Sequence, residues 1–215
     1  MKSKNTCFYF FRMIQYFQTA GELRRMQVYR IYFIRTEEKS MAENTVLNAI
    51  KTRRSIRKYK SDMIPGEILD QIIEAGTYAA TGMNRQSPII VAVTDRETRD
   101  RFSRLNGEIM GTDSDPFYGA PVVLIVLADK SSPNYIYDGS LVMGNLMLAA
   151  HALGIGSCWI HRAKQEFERP EGKEILKSLG IEGDYEGIGH CILGYVDGEY
   201  PEAAERKKDW VYRID

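Results

Sequence analysis

Three arginines and a serine fall within five positions of this chain, at Arg53, Arg54, Ser55 and Arg57. Guanidinium groups donate hydrogen bonds in pairs, so this spacing suits the oxygens of a phosphate. The same residues also read as a solvated basic run favouring a helix C-terminus, and spacing alone leaves both readings open. Asn84-Arg85-Gln86 offers two amide side chains, each able to donate and accept toward the edge of a heteroaromatic ring. An ordinary polar turn uses the same residue types. His161 follows Cys158 by three positions and His190 adjoins Cys191. A Cys–His nucleophile must meet in space, however, and neighbours on a strand face opposite ways. Buried, inert thiols are the better reading. Three His and three Cys without compact ligand spacing argue against a metal site. The chain has no Gly-x-Gly-x-x-Gly opening a helix, no Gly-x-x-x-x-Gly-Lys loop and no Gly-x-Ser-x-Gly. That disfavours a dinucleotide-binding dehydrogenase, an ordinary NTPase and an α/β-hydrolase.

Regular elements must position these groups. Val46, Leu47 and Ile50 form a short apolar stripe at helical spacing just ahead of the basic run. Pro65 opens a second helix as its first-turn residue, with Glu67 in that turn and Ile68, Leu69, Ile72 and Ile73 as its buried face. A polar loop over residues 79–88 leads to a strand from Ile89 to Thr94. Asp95 caps the charged helix beyond it, with Phe102 and Leu105 as apolar contacts. Val122 to Leu127 is unbroken and apolar, as suits a strand buried on both faces. Tyr135 to Leu153 predicts the longest helix, apolar nearly all round, and so central to the core or to a subunit interface. Gly154-Ile155-Gly156 stops it, and Ser157 to Ile160 is the next strand. A small helix over 171–179 and a last strand over 187–196 follow, the strand's glycines marking close backbone approaches. This order predicts one α+β domain with a mixed sheet.

Net charge is zero, but residues 1–40 carry eight Lys/Arg against three Glu, which leaves an acidic body. An acidic body argues against nucleic-acid binding. Nine of the 23 aromatics also lie in residues 1–40, where Arg12, Gln15, Gln18 and Arg24-Arg25 break every apolar run. No signal peptide or membrane span is expected there. Met41-Ala-Glu-Asn-Thr reads as a natural start, so residues 1–40 are expected to stand outside a functional domain at 41–215. Cys7, Cys158 and Cys191 are too scattered for a disulfide framework, which points to a reducing, cytoplasmic setting.

Taken in order, several segments resemble the nitroreductase family of FMN-dependent oxidoreductases: Arg53-Arg-Ser-Ile-Arg57, Asn84-x-Gln86-Ser-Pro, Phe117-Tyr-Gly-Ala-Pro121, Gly154-Ile-Gly-Ser-Cys-Trp-Ile160 and Arg206-Lys-Lys208. The resemblance covers residues 41–215. It implies a nitroreductase-like α+β fold, with a mainly antiparallel sheet flanked by helices and a long central helix in a homodimer interface that holds FMN. By resemblance, Arg53 and Ser55 hold the phosphate and ribityl end, Arg57 lies near flavin N1 and O2, and Arg54 is a cofactor-binding residue between them. Thr81, Gly82, Asn84 and Gln86 match the loop supplied by the other subunit. Ile160, His161 and Arg162 match the backbone facing flavin N5, Asn106 the pyrimidine edge, and Arg206 and Lys208 the phosphate. The implied activity is ping-pong hydride transfer from NAD(P)H, through FMN, to a nitroaromatic, quinone or similar acceptor. No catalytic side chain is required, because the flavin carries the chemistry. Alternatives are a flavin-binding relative doing reductive dehalogenation or flavin breakdown, and a non-enzymatic module using the basic run 53–60. His161, at a position often acidic or small in the family, and the Ala80-Thr81-Gly82 loop depart from the pattern.

Overall fold

The computed structural model describes residues 44–214, so the expectations for residues 1–40 lie outside it. The chain divides into two units, Met1–Asn48 and Ala49–Asp215, and of the first only residues 44–48 are described. There the Oδ1 of Asn44 accepts from the N–H groups of Val46 and Leu47 at 3.1 Å, which caps helix α1 (Thr45–Thr52). No residue of α1 is buried, and the Val46, Leu47 and Ile50 stripe remains exposed.

The second unit continues with α2 (Gly66–Thr77), β1 (Pro88–Val93), α3 (Arg96–Met110), β2 (Val122–Asp129), α4 (Tyr135–Ala152), β3 (Gly156–Ile160), α5 (Ala163–Glu168), α6 (Pro170–Ser178) and β4 (Tyr185–Gly194). Pro65 stands at the N-cap of α2 in extended geometry rather than inside the first turn. Asp95 caps α3 as expected, accepting from Thr98 N–H at 2.8 Å. The short helix α5 has no counterpart in the sequence expectations.

The strands pair in the order β1-β2-β4-β3, antiparallel throughout. The parallel element expected of a mixed sheet is only an isolated bridge, Ser55 to Ser157. Every residue of β2 from Val122 to Ala128 is fully buried, because helices cover both faces of the sheet. One face packs Val123, Ile125 and Leu127 with Phe102, Phe117 and Phe167. The other packs Val122, Leu124 and Val126 with Ile72, Met143 and Leu146. Burying a Val, Leu or Ile side chain contributes about 1.5–3 kcal/mol, so this double face dominates the core.

Two local devices bear on the site. The pairing of β2 with β4 shifts between Val126 and Leu127, leaving Ile188 as an extra residue whose side chain lies against Gly139 of α4. The expected close approaches follow: a Cβ on Gly139 would lie 2.5 Å from Ile188, and one on Gly187 would strike the backbone of Ala163. The loop after α3 is fixed by Asp115, which accepts from Ser103 Oγ at 2.5 Å, Arg99 Nη2 at 2.6 Å, Gly119 N–H at 2.7 Å and Phe117 N–H at 2.8 Å. Partial burial would raise the Asp115 carboxyl, but these donors outweigh it and hold it below the ordinary range.

Candidate active site

The basic run leaves α1 and lies along the open edge of β3. Ile56 N–H donates to Ser157 O at 2.9 Å, and further on Lys60 N–H donates to Tyr195 O at 2.9 Å. Ile56 sinks into the core while Ser55 and Arg57 alternate away from it. Tyr59 OH donates to Ile56 O at 2.8 Å and closes the segment. Burial raises the Tyr59 hydroxyl well above its ordinary value, so it stays a donor.

The arginines divide by role. Arg54 turns back on α1, with Nη1 donating to Lys51 O at 2.8 Å and Arg53 O at 2.7 Å. It thereby satisfies carbonyls at the helix end with Nη1, while its buried Nε has no hydrogen-bond partner among the described residues. Arg53 Nη1 is buried and, among the described residues, has no hydrogen-bond partner, a costly state for a charged donor. Among the described residues no carboxylate pairs with Arg53 or Arg57. His151, at the end of α4, is shifted below its ordinary value by burial and then by Arg53 and Arg54. This corner is therefore electropositive and keeps an unused donor. Sequence reasoning missed a chain of contacts here: Thr52 Oγ1 to His151 Nε2 at 2.8 Å, His151 Nδ1 to Tyr200 OH at 3.0 Å, and Arg54 N–H to Tyr200 OH at 3.1 Å. It ties the start of the C-terminal tail to the basic run.

Farther along the same edge, β3 ends at Ile160, His161 and Arg162. Ile160 is buried in the core, His161 is exposed beside Trp159 with ring centroids 6.3 Å apart, and Arg162 takes a left-handed φ of +82°. His161, Arg162 and Trp159, with Ser140, Gly187 and Ile188, line a cleft of about 610 Å³. Cys158 and Cys191 are buried free thiols that burial raises above their ordinary values, which keeps them protonated and poor nucleophiles.

Other expected site residues lie elsewhere. Asn106 is fully buried, donating from Nδ2 to His161 O at 2.9 Å and accepting at Oδ1 from Arg162 Nε at 2.8 Å. It therefore stands behind the 160–162 segment instead of presenting a free amide to a ring edge. The loop from Thr81 to Gln86 is fixed at the start of α4, where Asp138 Oδ1 accepts from Gly82 N–H at 2.9 Å. Gln86 Nε2 donates to Asn84 Oδ1 at 3.2 Å, and Met83, Asn84 and Gln86 all have positive φ. Among the described residues, no hydrogen bond joins this loop to residues 53–57 or 160–162. Arg206 and Lys208 lie on an exposed tail, with no hydrogen bond or ion pair to the basic run among the described residues.

A sequence model of the Nitroreductase family matches residues 50–116 and 108–195. An NADPH-flavin oxidoreductase of Vibrio harveyi is 30% identical over 174 residues, spanning 76% of this chain and 70% of that protein. A crystal structure of a nitroreductase with bound FMN from Bacteroides fragilis superposes with a TM-score of 0.74 at 29% identity, covering 80% of this chain and all of that one. An FMN-dependent nitroreductase from Clostridium difficile gives a TM-score of 0.71 at 27% identity, covering 80% and 99%.

Proposed function

The chain belongs to the nitroreductase family, and from that membership we propose that it is an FMN-dependent oxidoreductase moving hydride from NAD(P)H to a nitroaromatic, quinone or similar acceptor. The observation that carries this reading is the buried, unpartnered Arg53 Nη1 on a basic run that shares one sheet edge with residues 160–162. A phosphate oxygen satisfies that donor, and the fit extends to Ser55 and Arg57 on the same segment. When bound, FMN supplies a two-electron carrier between donor and acceptor.

The chain's own residues bind and orient. Arg53 and Ser55 hold the phosphate and ribityl end, while Arg57 supplies positive charge where a reduced flavin is anionic. Arg206 and Lys208, on the exposed tail beyond Tyr200, would add positive charge to the phosphate. The 160–162 segment, with its left-handed turn at Arg162, would offer backbone N–H to flavin N5. The Thr81–Gln86 loop serves a second copy of the chain, which is why it stands apart from its own basic run. A homodimer would also cover the exposed Ile136, Tyr137 and Leu141 of α4. The working domain is residues 41–215 in a reducing, cytoplasmic compartment; among the described residues no helix is long and apolar enough to cross a membrane.

Donor and acceptor use the His161–Arg162 cleft in turn. Steady-state rates with both substrates varied are therefore expected to give parallel double-reciprocal lines. Lines that intersect would show both substrates bound together and overturn the ping-pong reading.

A further inference from the structure

Glu166 and His190 are a fully buried carboxylate and imidazole that the proposed function does not use. Glu166 Oε2 meets His190 Nε2 at 2.9 Å, and Glu166 Oε1 accepts from Asn106 Nδ2. His190 Nδ1 has no partner and the ring packs on Phe117, centroids 5.1 Å apart. The tautomer that donates from Nε2 to Glu166 leaves Nδ1 bare against the aromatic rings, which is less costly than an unpaired N–H there. The chain of contacts thus runs His190, Glu166, Asn106, and from Asn106 to both His161 O and Arg162 Nε. It ends on the two residues of the left-handed turn.

That turn needs such support. A non-glycine residue at φ +82° persists only where its surroundings over-determine it. The backbone of α5 is clamped as well: Gly187 lies against Ala163 at its start, and a Cβ on Gly172 would come within 2.7 Å of Phe167 Cα at its end. Burying a carboxylate and an imidazole here costs desolvation that an apolar pair would avoid, so stability alone does not explain them.

We propose that Glu166 and His190 are positioning residues that act through Asn106 to fix the 161–162 turn, and so set how the end of β3 meets FMN. The proposal rests on the flavin reading above. Asn106 is the transmitting member of the set, with both ends of its amide engaged inside the protein.

The test is titration of FMN-free, full-length protein with FMN, followed by flavin absorbance and by the visible circular dichroism of the bound ring. Asn106→Ala and Glu166→Gln are each expected to weaken FMN binding about tenfold and to alter the dichroic band. The double variant is expected to be no weaker than about tenfold, because both changes cut one path. The FMN-free melting temperature of Asn106→Ala is expected to fall by several degrees, because Glu166 Oε1 and Arg162 Nε lose a buried partner; titrations are therefore run well below that transition, where the folded variant carries the test if Glu166→Gln does not fold. FMN affinity within twofold of wild type in folded Asn106→Ala, or losses multiplying to about a hundredfold in the double variant, would overturn the proposal. Wild-type protein that takes up no FMN would overturn the flavin reading itself, and this proposal with it.

Discussion

Replacing Arg53 and Arg57 together with alanine is expected to release FMN while leaving the fold intact. Each charge-assisted hydrogen bond to a phosphate or to an anionic ring edge contributes about 1.5–3 kcal/mol. Arg57 is exposed, so its share is discounted for solvent. A combined loss of about 3 kcal/mol weakens binding on the order of a hundredfold. Folding is spared because the segment is held by Ile56 in the core, by the Ile56 N–H to Ser157 O bond and by Tyr59, none of which uses either guanidinium. Arg54→Ala is the contrast: it removes bonds to Lys51 O and Arg53 O, and so loosens the end of α1 more than it affects FMN. Flavin content after gel filtration, beside the melting temperature of each variant, checks both halves. A double variant that retains FMN as wild type does would contradict the assignment of the basic run.

Gly187→Ala is expected to be among the most damaging single methyl groups in the described residues. The new Cβ would collide with the backbone carbonyl of Ala163 and lie 2.8 Å from its Cβ, and backbone on both sides cannot swing aside as a flexible side chain can. Overpacking of this kind costs about 3 kcal/mol. For a chain of this size, that lowers the melting temperature by roughly 6–12 °C. The strain also pushes on Ala163, next to the left-handed Arg162, so FMN affinity falls with stability. Gly111 gives the comparison, because a Cβ there meets nothing within 4 Å and only its φ of +74° opposes a side chain. Gly111→Ala is expected to cost about 1 kcal/mol. Thermal unfolding of the two variants side by side checks the ranking; a Gly187→Ala midpoint near wild type would contradict it.

Legibility in the sequence follows how local each cause is. The Val122–Leu127 run announces a strand covered on both faces because nothing but burial explains six consecutive apolar residues. Asp95 announces a cap because its partner, Thr98, is three residues away. The glycines of β4 signal close approaches, though not that Gly187 meets Ala163 and Gly189 meets Trp159. Helix α5 escapes notice because it has only six residues and its buried set includes Glu166, a type that reads as solvent-facing. Its carboxylate is paid for by His190 and Asn106, which lie 24 and 60 positions away. The inward turn of Asn106 and the return of Arg54 onto α1 are likewise products of packing. The basic run and the strand end at 160–162 are legible as motifs, while their meeting along one edge rests on the Ser55–Ser157 bridge, which only the folded chain displays.

A visible absorption spectrum of the purified protein, recorded before and after anaerobic addition of NADH and then NADPH, tests the central claim most directly. The expected result is a flavin spectrum that bleaches with one or both nicotinamides and returns when an acceptor such as a quinone is added. A protein that is colourless, and stays colourless after incubation with FMN, would contradict it.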